Sequence, residues 1–135
     1  MTGTIVLDSF ALLAFFRGEP GAQRVAGLLE AAEHGEPQLA MSVVNLAEVM
    51  YRTERERGLQ RAQEALAKVL EYPIELFDVD LELALAAAHI KASHSVALAD
   101  CFAAALAQRL GAAVLTGDPD FQRLEGAVAV EWLTG

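Results

Sequence analysis

The stretch TIVLDSFALLAFF at residues 4–16 decides the fold class. Residues 4–8 are a β-branched and apolar run, the pattern of a strand that is buried on both faces. Residues 9–16 follow directly as an apolar helical segment, which the pair Arg17-Gly18 ends. A buried strand that leads straight into a helix predicts an α/β domain built on a parallel sheet.

The rest of the chain repeats this alternation. Short unbroken apolar runs predict four more strands, and stretches with helical spacing separate them. Ser42 and Asp80 are residue types that cap helices. The predicted strands are residues 4–8, 37–41, 74–79, 112–116 and 128–132, and the predicted helices are residues 9–16, 20–33, 43–57, 59–71, 81–93 and 96–110. We therefore expect one domain, residues 1–135, with a short central parallel sheet flanked by helices (α/β/α).

Length and composition agree with a single globular domain. The chain has 135 residues, and 54% of them are apolar. Cys101 is the only cysteine, so no disulfide can form within the chain. The longest run without a charge, residues 37–47, is too short for a membrane helix. The N-terminus lacks the basic region of a secretory signal, so we expect a cytoplasmic protein without a membrane partner.

Four carboxylates stand in apolar surroundings. Asp8 closes the first predicted strand, Glu48 lies in VVNLAEVMY, Asp100 is the only charge in VALADCFAAALA, and Asp118 follows the fourth predicted strand. In parallel sheets the ligand crevice lies beyond the carboxyl ends of the strands. Clustered buried carboxylates repel one another, so a divalent cation is their natural counter-charge. Such a cation can activate water and stabilise charge at a phosphodiester, which predicts a hydrolytic metal site.

Each acid also has a plainer interpretation. Asp8 can cap the helix that follows it, and Glu48 can form an ion pair with Arg52 one turn later. Asp100 can be a first-turn residue that the helix dipole favours, and Asp118 can belong to a turn. Only the joint placement of the four acids around one predicted crevice favours a functional site.

Four motifs, taken in order, resemble a known family: LDSFALLAFF, SVVNLAEVMY, SVALADCFAAALA and AVLTGDPDF are similar to the motifs of PIN domains. The closest resemblance is to the VapC toxins of bacterial VapBC toxin–antitoxin modules, and it covers essentially the whole chain. It implies a Mg2+- or Mn2+-dependent endoribonuclease that forms a homodimer and is inhibited by a small antitoxin protein. It also implies that Asp8, Glu48, Asp100 and Asp118 are the catalytic metal ligands.

The resemblance assigns supporting roles in the last motif. It implies that Thr116 orients the site by hydrogen bonding, and Asp120 is a second acid in the same loop that assists or replaces Asp118.

Charge complicates the assignment to RNA. The net charge of −9 argues against nucleic-acid binding by a broad basic surface. It does not exclude binding through a metal, because the metal's own carboxylates add to the negative count. The one basic concentration is RTERERGLQR, where Arg52, Arg55 and Arg57 either sit on a solvated helix end or contact the RNA backbone.

Other functions fit the sequence less well. A haloacid-dehalogenase-like phosphatase needs a second Asp two residues after the first, where this chain has Phe10, and a receiver domain needs adjacent acids that are absent here. Two alternatives stay open: a PIN-fold interaction module without nuclease activity, and a housekeeping RNA-processing nuclease that is not a toxin.

Overall fold

The central sheet has five strands, all parallel, in a computed structural model that describes residues 3–134. The strands are β1 (Thr4–Leu7), β2 (Gln38–Ser42), β3 (Ile74–Phe77), β4 (Ala113–Thr116) and β5 (Val130–Trp132). Their order across the sheet is β3-β2-β1-β4-β5, so β1 lies in the centre. The predicted α/β class with a short parallel sheet is confirmed.

Six helices flank the sheet, and most begin or end at the residues that the sequence indicates. They are α1 (Ser9–Arg17), α2 (Ala22–Glu33), α3 (Val43–Arg57), α4 (Leu59–Glu71), α5 (Leu81–Ser93) and α6 (Leu98–Leu110). Ser42 and Asp80 cap α3 and α5 with their side chains, as predicted. Gly18 and Gly111 end α1 and α6 at φ 65° and 62°, in the left-handed region that favours glycine.

Several predicted boundaries are wrong by one or two residues, and the pairing of the strands explains the strand ends. The predicted third strand runs to residue 79, but β3 ends at Phe77, which pairs with the last residue of β2. β5 begins at Val130 instead of residue 128, because it pairs only with the last three residues of β4. The second helix begins at Ala22 instead of Pro20, because Gly21 at φ 96° precedes it. The 3-10 helix at Pro119–Leu124 was not predicted.

The helices form a layer on each face of the sheet. Val6, Ala40 and Val114 pack against α5 and α6, while Ile5 and Leu39 point to the opposite face and pack against α1 to α4. Eight consecutive residues of α6, from Asp100 to Ala107, are buried. This helix therefore carries Asp100 into the interior. Within residues 3–134 no single helix is long and apolar enough to cross a membrane. Helices α5 and α6, with a bend of 120° between them, would together be long and apolar enough by length and composition only.

Candidate active site

Two of the predicted site acids lie at the carboxyl ends of neighbouring strands. Asp8 directly follows β1, and Asp118 comes two residues after β4. β1 and β4 pair in parallel with Leu7 opposite Leu115, so Asp8, just past the end of β1, lies beside Thr116, the last residue of β4. The order of the strands, with β4 next to β1, therefore brings the first and last motifs of the chain to one edge.

The other two predicted acids come from helices that begin at the same edge. Asp100 is the third residue of α6, and Glu48 is the sixth residue of α3. Contacts between α3 and α6, and between α6 and β1, hold these helix ends near Asp8. The partial positive charge of a helix N-terminus favours a carboxylate in its first turn, as for Asp100.

Burial and mutual repulsion shift two of the carboxyls strongly. Burial is the main cause that raises the pKa of Asp8 to about 7. Hydrogen bonds with Thr116 and with the Ala11 amide lower this pKa, and the charges of Asp100 and Asp118 raise it. Burial also raises the pKa of Asp100 to about 7, and the charges of Asp118, Glu48 and Asp120 add to the effect. Asp8 therefore interacts electrostatically with Asp100 and Asp118, and Asp100 also with Glu48 and Asp120. Asp8 and Asp100 therefore lose their protons only near neutral pH, and a cation that compensates their charge would favour deprotonation at lower pH.

Three of the acids are close enough to share a cation. Carboxylate oxygens of Asp100, Asp118 and Asp120 all lie within 4.8 Å of one another. Oxygen ligands of this kind suit hard divalent cations such as Mg2+. Asp8 and Glu48 lie outside this group of three. Asp8 nevertheless neighbours the group, because the charges of Asp100 and Asp118 act on its carboxyl. The predicted secondary acid, Asp120, is thus a full member of the group.

Hydrogen bonds hold the loop after β4 in place. The buried Thr116 hydroxyl accepts from the Asp118 amide at 3.0 Å, and Asp118 Oδ1 accepts from the Asp120 amide at 2.9 Å. The same hydroxyl interacts with Asp8 and lowers its pKa. Thr116 therefore links the loop to the end of β1, an arrangement that suits the orienting role assigned to it.

The plainer interpretations of the four acids are also present in the structure. Asp8 caps α1 by accepting from the Ala11 amide at 2.9 Å, and Glu48 pairs with Arg52 at 3.7 Å. Asp100 lies in the first turn of α6, and Asp118 caps the 3-10 helix. These local contacts and a metal site are compatible, because each carboxylate has a second oxygen or further lone pairs. The ligand assignment of these four acids stays a prediction.

The three candidate arginines do not lie together. Arg52 and Arg55 line an open groove with Glu48, and the Arg55 guanidinium lies 4.9 Å from the ring centroid of the exposed Tyr51. Arg57 lines a different groove, between α1, α3 and α4. The structure therefore places Arg52 and Arg55, but not Arg57, beside a site acid.

Sequence reasoning missed one polar residue at this edge. Asn45 is fully buried and lies one helical turn before Glu48. A polar residue inside the apolar run VVNLA was the available signal.

Comparisons with known proteins give a family and a fold. The family model described as "PIN domain" matches residues 5–127. The structure is similar to DNA-bound VapBC from Salmonella typhimurium, with 19% identity, a TM-score of 0.74, and 96% of this chain and 98% of that chain covered. It is also similar to VapC20 from Mycobacterium tuberculosis, described as a Sarcin-Ricin loop cleaving toxin, with 18% identity, a TM-score of 0.69, and 93% and 96% covered.

A third similar structure has the higher identity of 25%. It is VapBC-5 from Mycobacterium tuberculosis, a member of the VapBC family of toxin–antitoxin systems, with a TM-score of 0.63 and 98% of this chain and 99% of that chain covered. No curated protein matches the sequence. The family match spans most of this chain, and each of these structural matches covers nearly the full length of both compared chains.

Proposed function

We propose that this chain, which belongs to the PIN domain family, is an endoribonuclease that depends on Mg2+ or Mn2+ and is the toxin of a toxin–antitoxin pair. The single observation that carries the proposal is the convergence of five acids at one sheet edge. Three of them have oxygens within 4.8 Å of one another, and burial raises the pKa of Asp8 and Asp100 to about 7. Such a cluster is unfavourable alone and favourable around a cation.

The proposal gives each of these residues a role. Asp8, Glu48, Asp100 and Asp118 hold the cation, and Asp120 supplements or replaces Asp118. A divalent cation, when bound, would polarise the phosphodiester and lower the pKa of a water for attack on phosphorus. Thr116 keeps the Asp118 loop against the end of β1 through its hydrogen bond with the Asp118 amide. Asp8 and Asp100 are buried, and the low polarity of their surroundings strengthens their attraction for the cation.

RNA is the proposed substrate, and the support is the family together with one similar protein. VapC20 is described as a toxin that cleaves the sarcin-ricin loop. On this chain, the exposed Tyr51 and the guanidinium of Arg55 line the groove next to Glu48. An aromatic ring can stack on a base and a guanidinium can contact a phosphate, so this groove suits a single strand despite the net charge of −9.

Two partners complete the proposal. Several similar structures are toxin–antitoxin complexes, which supports a small antitoxin as a partner of this chain. We also propose a homodimer. Exposed apolar side chains on α5, Leu81 and Leu85, offer apolar surface for a second copy.

The test is cleavage of a pool of structured and single-stranded RNAs by the purified protein. We expect cutting with Mg2+ or Mn2+ and none with EDTA. Growth arrest on expression, relieved by substitution of a site acid, would separate a toxin from a housekeeping nuclease. A folded protein that cuts no RNA under any of these conditions, and that binds no Mn2+, would contradict the proposal and favour an interaction module.

Replacement of Arg55 by Ala should weaken RNA binding. If Arg55 contacts one phosphate of a single strand, its loss makes the negative slope of log K against log salt less steep by about 0.7. The measurement is RNA affinity by fluorescence anisotropy at several salt concentrations. Arg57→Ala is the matched control, because Arg57 lines the other groove of α3 and should leave affinity and slope unchanged. Equal behaviour of the two variants would rule out this groove as the RNA path.

A further inference from the structure

A buried amide bridges the helices that carry the site acids. Asn45 in the first turn of α3 is fully buried. Its Nδ2 donates to Ser9 Oγ and to the Ala99 carbonyl, each at 3.2 Å, and Ser9 Oγ donates to the Asn45 carbonyl at 3.2 Å. Ser9 directly follows Asp8, and Ala99 directly precedes Asp100. One side chain on α3 thus connects the first turns of α1 and α6 next to their acids.

The hydrogen-bond pattern fixes how this amide is oriented. The Ala99 carbonyl can only accept, so the donating Nδ2 must face it. Asn45 Oδ1 is then left buried, and no described protein group donates to it. A buried acceptor without a protein donor does not favour folding, and an apolar side chain of similar shape would avoid it. The contribution of Asn45 is therefore the placement of its two donated bonds.

We propose that Asn45 is a positioning residue for the acidic site. Its bonds to Ser9 and Ala99 hold the chain at Asp8 and at Asp100 in fixed relative positions, and so set the shape of the acidic site that receives the divalent cation. This inference rests on the proposed function. Asn45 needs no contact with the cation or with RNA, since it acts through the backbone on which the acids are mounted. Groups that orient metal ligands change metal affinity or activity by about 10–100-fold when they are replaced.

Asn45→Leu tests the proposal, because leucine has a similar shape and donates no hydrogen bond. We expect the Kd for Mn2+, measured by calorimetry on the RNA-free protein, to rise about 10-fold or more. At saturating RNA, kcat should fall while KM for RNA stays unchanged. A merely structural role would instead lower the unfolding midpoint and leave the Mn2+ Kd as it is.

Thr53→Val is the matched control. Thr53 lies later on α3, and its hydroxyl donates to the Val49 carbonyl at 2.7 Å, away from the three helix ends. Like Asn45→Leu, the substitution removes a side-chain hydrogen-bond donor from α3 with little change of shape, but away from the site acids, so it should leave the Mn2+ Kd unchanged.

Ser9→Ala decides the matter if Asn45→Leu does not fold. It removes one of the two acceptors of Asn45 Nδ2 and should weaken Mn2+ binding in the same direction, by a smaller factor. A folded Asn45→Leu protein with the wild-type Mn2+ Kd, or an unchanged Kd for Ser9→Ala where Asn45→Leu is unfolded, would overturn this inference alone. Absence of Mn2+ binding by the wild type would overturn the proposed function and this inference with it.

Discussion

Asp100→Asn should abolish RNA cleavage while the protein stays folded. Asp100 belongs to the group of three clustered acids, and its charge also acts on Asp8. Loss of a charged cation ligand removes several kcal/mol of transition-state stabilisation, and each 1.4 kcal/mol is about tenfold in rate, so we expect a loss of about 100-fold or more. The measurement is kcat/KM on a cleavable RNA with saturating Mn2+. Asp8→Asn should have an effect of similar size.

Asp78→Asn provides the control for this substitution. Asp78 is exposed, lies between β3 and α5, and takes part in no described ion pair. The Asp78→Asn substitution changes the net charge by the same amount as Asp100→Asn does. Full activity of the Asp78→Asn variant would therefore exclude a general charge effect. Activity of Asp100→Asn close to that of the wild type would remove Asp100 from the site.

The metal-free protein should lose stability as the pH rises from 5.5 to 8, and Mn2+ should restore it. The unfolded chain releases the protons of Asp8 and Asp100 near pH 3.8, whereas the folded protein keeps them to about pH 7. This stability is therefore fully present below the unfolded pKa and is lost as the pH rises through the folded pKa. Because the cation competes with these protons, its stabilising effect should be larger at pH 8. Thermal unfolding with EDTA or Mn2+ measures both effects.

The window above pH 5 avoids an opposite contribution from another carboxyl. Arg109 lowers the pKa of Asp80, so the stability from that pair is lost only at more acidic pH. At about 100 times its Kd, Mn2+ should add about 2.7 kcal/mol to the free energy of unfolding. The Asp100→Asn variant should show a flatter pH profile and a smaller response to Mn2+. An unfolding midpoint that does not depend on pH or Mn2+ in the wild type would contradict the electrostatic account of the site.

Much of the fold was predictable because its signals are local. The run TIVL and the helix after it, the caps Ser42 and Asp80, and the stops Gly18 and Gly111 depend on a few neighbouring residues each. The acids were identifiable because a charge inside an apolar run is costly unless something compensates it. Their placement at strand ends and early in helices followed from the same patterns.

Convergence, in contrast, is a property of the tertiary structure. Periodicity predicts five strands, but only hydrogen-bonded pairing places β4 beside β1 and so brings Asp8 next to Thr116. The 3-10 helix after β4 brings Asp120 within reach of Asp100, which no local pattern specifies. Pairing with β2 and β4 also decided where β3 ends and where β5 begins.

The sequence by itself therefore determined the element types, the helix caps and the four acids. The tertiary structure decided which side chains meet: Asp120 with the acids, Arg57 in a groove apart from Arg55, and Asn45 between Ser9 and Ala99. The physical reason is the range of the interactions. Caps and apolar periodicity act within one or two helical turns, whereas the site depends on contacts between residues far apart in the chain, which strand order and helix packing set.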